Sequence, residues 1–230
     1  ETSNEKKNKE IIFVGHYDSK STKVNGLIRV GSYGIMLISA ILVLIVGVIG
    51  IIYYLISGQA NFGLQIAMWI DAGVGSVAAL ILTGNVVGNK SPGAADNATA
   101  VAILLESMRY FKEKPLENAN ITFLFSAAEE IGLTGPYYFI KRRHENPRFD
   151  PKHTFVINYD MAGAEGNIIL NEAIGIPKKL CSKMMTGVLD NISKEQKIPY
   201  KKVYLPVGGW TDAIPFIERG YETSTLSGGP

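Results

Sequence analysis

Cysteine is almost absent: Cys181 is the single one in 230 residues. That excludes a disulfide framework and any thiolate zinc cluster, and it suits a reducing compartment. Net charge is nearly absent as well, +2 at neutral pH from 23 basic and 21 acidic side chains. With no basic stripe interleaved with aromatics, nucleic acid is not an expected partner. Charge is also missing locally. From Val30 to Asn89, 60 residues, Asp71 is the only charged side chain, whereas the other 170 residues carry 43 of the 44 Asp, Glu, Lys and Arg. That share is ordinary for a soluble domain. The chain therefore divides into a soluble domain, 1–29 plus 88–230, and an apolar insert, 30–87.

In the insert, Ile35 to Ile56, IMLISAILVLIVGVIGIIYYLI, has Ser39 as its one clearly polar residue. As a helix its 22 residues span the ~30 Å hydrocarbon core of a bilayer. An internal run of this length is not read as a signal peptide, and Tyr53 and Tyr54 suit an interfacial belt. After SGQANFG comes a weaker segment, Leu64 to Val87, which contains Gln65, Asp71 and Asn85. Its small residues (Gly73, Gly75, Ser76, Ala78, Ala79) allow close helix approach. The pair reads as a transmembrane hairpin with membrane lipid as its partner. The alternative is a buried core helix and a shorter one capped by Asp71, since a lone carboxylate at mid-membrane costs roughly 3 kcal/mol or more. Lys20, Lys23, Arg29 and Lys90 flank a turn without charge, which places the soluble domain on the cytoplasmic side by the positive-inside rule.

With the insert set aside, strand and helix patterns alternate. Strands are expected at Ile11–Gly15, Ile121–Ser126, Thr154–Tyr159, Ile168–Leu170, Val203–Leu205 and Thr223–Leu226. Helices are expected at Ala98–Phe111, Gly135–Arg143, Pro177–Ile192 and Ala213–Arg219. The fold class is α/β: a mostly parallel mixed sheet with helices on both faces, interrupted by the two-helix hydrophobic hairpin. In such sheets, sites form beyond the carboxyl ends of the strands. Past the first strand stand His16 and Asp18; past ITFLFSAA, Glu129 and Glu130; past TFVINY, Asp160; and Asp96 lies in the loop SPGAADNATA that opens a helix. An imidazole and several carboxylates thus converge on one edge. Unpaired, those carboxylates would repel one another, and divalent cations resolve the conflict. His and carboxylate donors without thiolate suit zinc, with manganese or cobalt also possible. Two such ions would activate a water and polarise a carbonyl, and of two adjacent glutamates one can ligate while the other serves as base.

GHYDS, SPGAADNATAVAILLE, FLFSAAEEIGLTGPYYFIK, NYDMAG and GGWTDAIPFIERGYETSTL resemble, in order and spacing, the co-catalytic di-zinc aminopeptidase family. Plasma glutamate carboxypeptidase, the glutaminyl cyclases and the catalytically dead transferrin receptor and nicastrin are its relatives. The resemblance implies that His16 and Asp160 bind a first zinc and Glu130 a second, with Asp96 bridging them. It further implies Glu129 as general base, Asp18 behind His16 as the carboxylate that fixes the ring, and a cis peptide between Asp96 and Asn97. Two departures stand out. The hydrophobic hairpin fills the connection between Asp18 and Asp96, where the family usually has a short loop. The family's histidine near the C-terminus also has no counterpart: His144 and His153 do not match, and a "DH" pair falls on Asp212-Ala213. Members with a GG-x-TD element like Gly208–Asp212 place it one strand later, so this sequence is expected to be a fragment lacking that ligand, the alternative being a true loss of the metal site.

The expected function is a membrane-anchored di-zinc exopeptidase acting on peptides, an aminopeptidase by preference. The alternatives are a non-enzymatic peptidase-like receptor or scaffold, or an aminoacyl (glutaminyl) cyclase with the same ligands.

Overall fold

The computed structural model describes residues 8–163, 167–206 and 210–229; Gly208 and Gly209 of the GG-x-TD element lie outside them. In chain order the elements are β1 (Lys9–His16), β2 (Ser21–Thr22), α1 (Gly26–Ser57), α2 (Phe62–Thr83), β3 (Val87–Gly88), α3 (Thr99–Glu113), β4 (Ala119–Ser126) and α4 (Thr134–Arg143). They continue with β5 (Thr154–Asp160), β6 (Asn167–Ile174), β7 (Lys179–Leu180), α5 (Lys183–Glu195), β8 (Tyr200–Leu205), α6 (Ile214–Glu218) and β9 (Glu222–Gly229). Two compact units result, one of residues 1–19 and 91–230, the other Lys20–Lys90.

The first unit is built on a seven-stranded sheet ordered β4-β1-β5-β9-β6-β7, with β8 also paired to β6. β4, β1, β5 and β9 are mutually parallel, β6 runs against β9, and β8 follows β6. Alternation along the strands sorts the two faces. Ile12, Val14 and Val156 pack with Ile140 of α4, Phe149, and Phe216 and Tyr221 at α6, one hydrophobic core. On the other face Phe13 stacks with Phe111 of α3, Phe123 and Tyr159. Gly15 lets α3 lie close there: a Cβ on it would meet the Ala100 Cβ at 2.7 Å. At the far end of β1, Glu10 is buried and takes a forked ion pair from Arg148 (2.8 and 3.2 Å) and a hydroxyl from Thr122 (2.5 Å).

One expected helix is corrected. Pro177–Ile192 divides into β7, which pairs with β6, and an α5 that starts at Lys183 behind the Ser182 cap. The Ser182 hydroxyl accepts from the Met185 amide, so the helix begins where a capping side chain is available.

The second unit is a helical hairpin. α1 starts after Asn25, whose side chain accepts from the Leu27 amide, and stops at Gly58 in the left-handed conformation. α2 starts after Asn61, which accepts from the Leu64 amide, and ends at Thr83, four residues short of the expected Val87. The helices touch where the Ser39 hydroxyl donates to the Asp71 carbonyl at 2.7 Å, and a Cβ on Gly75 would sit 2.6 Å from that hydroxyl. At 32 and 22 residues both are long and apolar enough to cross a membrane. The short antiparallel ribbon of β2 and β3 closes the base.

Candidate metal centre

His16 is the last residue of β1 and is buried. Its Nδ1–H donates to the Asp18 backbone carbonyl at 3.0 Å, closer than the Asp18 carboxylate at 3.6 Å. In the neutral ring that leaves the Nε2 lone pair facing outward. Around Nε2 stand Asp96 Oδ1 at 3.2 Å, Glu129 Oε2 at 3.8 Å and Asp160 Oδ1 at 4.0 Å. Single donor atoms of His16, Asp96 and Asp160 lie within 4.8 Å of one another, a group able to hold one cation.

Three side chains fix this geometry. The Asp18 carboxylate accepts the Glu129 amide on Oδ1 and the Glu130 amide on Oδ2, both at 3.2 Å. Asp18 therefore serves the imidazole through its main chain and the Glu129–Glu130 turn through its side chain. Buried Asn97 joins the loop before α3 to the end of β5: its amide donates to the Tyr159 carbonyl at 3.1 Å, and its oxygen accepts from Met161 N–H at 3.0 Å and Ala100 N–H at 3.3 Å. That tie brings Asp96 alongside Asp160, and the Asp96–Asn97 peptide is cis. The third is Asp212, which is 1% exposed and takes the Ser126 hydroxyl on Oδ2 at 2.5 Å.

The charges oppose one another. Burial alone would lower the His16 pKa, but hydrogen bonding to Asp96 and the charges of Glu129, Asp160 and Asp212 override it and raise the ring to about 10. Burial, together with the charges of Asp160, Asp212 and Glu130, pushes Glu129 up to about 8 despite the imidazole. Asp160 is raised to about 7 by burial and by its acidic neighbours, and Asp212 to about 6, mainly by burial. The cluster thus retains protons near neutral pH to limit repulsion. A divalent cation among these imidazole and carboxylate donors would do the same without protons, so the donor set fits a metal. Glu130 stands outside the three-donor group, yet its charge acts on both Glu129 and Asp160.

Every residue singled out from sequence lies in this neighbourhood. Ser126 has no signal in the sequence; the resemblance names Asn97 only for the cis peptide, which the structure has, and Asp212 only as the place where a DH pair would fall. Ser126 is the register partner of His16 and so shares its level on the sheet. Asp212 follows β8, which runs against β1, so the rule of looking past strand ends pointed away from it.

The sequence pattern of peptidase family M28 matches residues 75–229. The chain belongs to that family. Aminopeptidase YwaD of Bacillus subtilis (strain 168) is 27% identical over 140 residues, 59% of this chain and 29% of that protein. "Putative endoplasmic reticulum metallopeptidase 1" of Schizosaccharomyces pombe (strain 972 / ATCC 24843) is 40% identical over 84 residues, 36% of this chain and 10% of that protein. Among solved structures, an aminopeptidase from Aneurinibacillus sp. strain AM-1 superposes with a TM-score of 0.50 at 26% identity, over 62% of this chain and 32% of that chain. The M28 chain described here therefore spans less than a third of each of these relatives. The M28 match begins at Gly75, inside α2, so β1 and His16 precede it.

Proposed function

We propose that this M28 chain carries the metal-binding part of a membrane-anchored zinc exopeptidase, by preference an aminopeptidase. The observation that carries the reading is the group formed by His16, Asp96 and Asp160, with the Glu129 carboxylate 3.8 Å from the imidazole. His16, Asp96 and Asp160 would hold a first zinc, and Asp96 with Glu130 a second. When bound, zinc supplies a Lewis acid that polarises the scissile carbonyl and acidifies water. Glu129, buried and with its carboxylate 3.8 Å from the imidazole, would take a proton from the attacking water and return it to the leaving amine. Asp18 holds the Glu129 amide and keeps that carboxylate aimed at the site. The two aminopeptidase relatives support the choice of a free amino terminus as the substrate end. Glu129 and Asp18 are thus the catalytic and positioning carboxylates of the proposal.

The hairpin would be the anchor, with α1 and α2 in the bilayer, lipid around them, and the metal-binding unit on the cytoplasmic side. The test is zinc analysis of the full-length protein in detergent together with a panel of aminoacyl anilides. About two zinc ions per full-length chain, with hydrolysis abolished and zinc retained in Glu129→Gln, support the reading. A metal-free, inactive protein refutes it and favours a peptidase-like scaffold. Release of the chain from membranes by alkaline carbonate would refute the anchor alone.

A further inference from the structure

Five lysines that the metal centre does not use gather at the other edge of the sheet. PKKLCSK, ending at Lys183, and YKK, starting at Tyr200, bring Lys178, Lys179, Lys183, Lys201 and Lys202 around β7, β8 and the start of α5. Lys179 is paired with Glu218 at 2.8 Å and Lys202 with Asp190 at 2.9 Å. A cleft of about 330 Å³ opens beside them, lined by Lys178, Lys183, Lys202, Thr186, Leu180 and Tyr204, with Glu172 the one acidic side chain in its wall. It is not the metal centre. Asp160 lies level with Ser227 of β9, whereas the cleft lies toward the start of β9, where the Ser182 amide donates to the Thr223 carbonyl. Four residues of strand separate those levels, about 13 Å, and β9 and β6 lie between β5 and β8.

Two features of the cleft run against local physical chemistry. Lys183 is the first residue of α5, at the positive end of a 13-residue helix with no acidic side chain in its first turn. A cation there opposes the helix dipole. Thr186, one turn on, is 93% buried, being 7% exposed, and its hydroxyl has no hydrogen-bond partner. A buried unpaired hydroxyl carries a desolvation penalty. One occupant resolves both. An anion beside the first turn of α5 would neutralise Lys183 and meet the ammonium groups of Lys178 and Lys202, and a turn of the Thr186 side chain would bring its hydroxyl to the same anion.

We propose that this cleft is a second binding site, for a phosphate monoester group. A phosphate monoester carries close to two negative charges at neutral pH against one for a carboxylate, and so matches a cleft lined by three ammonium groups better. Leu180 and the Tyr204 ring, over which the Lys178 ammonium already sits at 4.8 Å, provide an apolar wall for the esterified part. The Tyr204 hydroxyl is committed to the Gly175 carbonyl, so the ring is held in place. The site is independent of the peptidase reading.

The test titrates the full chain in detergent calorimetrically with inorganic phosphate, with glycerol 3-phosphate and with acetate. A parallel arm uses phosphatidylcholine nanodiscs with and without phosphatidylinositol 4-phosphate. Saturable binding of the phosphates but not of acetate is expected in the detergent arm if the ligand is a free phosphate, or a response in the phosphoinositide nanodiscs alone if it is a headgroup. Lys183→Ala and Thr186→Val should each weaken binding by about tenfold or more, while Lys201→Ala, outside the cleft, stays within about twofold. Both cleft variants remove an unfavourable feature, so neither should lower the melting temperature without ligand. No saturable binding in any arm, acetate binding as well as phosphate, or binding indifferent to Lys183→Ala and Thr186→Val (as for phosphate held at the metal centre) would each overturn the proposal.

Discussion

Asp18→Asn tests the division of labour read from the geometry around His16. The imidazole is held by the Asp18 main-chain carbonyl, and the carboxylate oxygens hold the Glu129 and Glu130 amides at 3.2 Å each. A charge-assisted bond of this kind contributes about 1.5–3 kcal/mol. An asparagine keeps one acceptor and turns an NH₂ toward the other amide, so one bond is lost and two donors face each other. The Asp18 side chain is 25% exposed, which lets water soften the loss. The expected cost to the metal-free protein is therefore about 1–2 kcal/mol. The larger effect falls on the metal centre, because the released turn carries Glu129 and Glu130. Zinc affinity should drop by about 10- to 100-fold. The assay is a urea titration of the chelator-treated protein, followed by zinc competition against a chromogenic chelator. If the carboxylate acted only on the imidazole, an amide oxygen would replace it, and both quantities would stay near those of the parent. That outcome refutes the division.

Two further predictions concern the same unit. His16, Glu129, Asp160 and Asp212 all have folded pKa values raised, to about 10, 8, 7 and 6. The native metal-free state therefore binds more protons than the unfolded chain, and its stability should fall as pH rises: through the carboxylates from about 4 to 8, then through His16 from about 6.5 to 10. Melting temperatures in chelator should decline between pH 5 and pH 9 while zinc flattens the trend; a rise in chelator contradicts the assigned charges. Arg148→Ala leaves the fully buried Glu10 without its ion pair, which should cost about 3–5 kcal/mol in a urea titration; a loss below 1 kcal/mol would mean that water reaches Glu10.

What could be read from sequence was what repeats locally or sits at a strand end. Ile11–Gly15, Ile121–Ser126 and Thr154–Tyr159 declared themselves by apolar runs, and since β1, β4 and β5 are parallel the residues after them converge on one edge. Glu10, Arg148 and Thr122 meet across 112 to 138 residues of chain, and no local period encodes such a meeting. The tying roles of Asn97 and Asp212 are hidden for a related reason: each acts through partners on other elements, Tyr159 and Met161 for one and Ser126 for the other. The stretch after Pro177 has hydrophobic spacing that fits a helix, while the Ser182 cap sets the start six residues later.

The apolar insert poses the sharpest question of construction, because it is placed between two residues that must stand together, Asp18 and Asp96. Chain geometry answers it. The Ser19 hydroxyl donates to the Ser91 carbonyl at 3.3 Å, and a Cβ on Gly93 would meet the Ser19 Cβ at 2.8 Å, so the chain leaves and re-enters the metal-binding unit at nearly one point. Gly93 takes φ +66 there, a turn that only a residue without a side chain makes freely in so little space. The positions of Asp18 and Asp96 are tied by that closure, by Asn97 and by the Glu129–Glu130 amides. Closing a flexible loop costs entropy that grows only as the logarithm of its length, so a short loop should serve as well as a long one. Replacing Lys20–Lys90 by a few glycine and serine residues should therefore give a water-soluble chain that binds zinc with an affinity within about threefold of the parent in detergent, a difference below 1 kcal/mol. A soluble, folded chain that has lost zinc binding would show that the hairpin helps to build the metal centre.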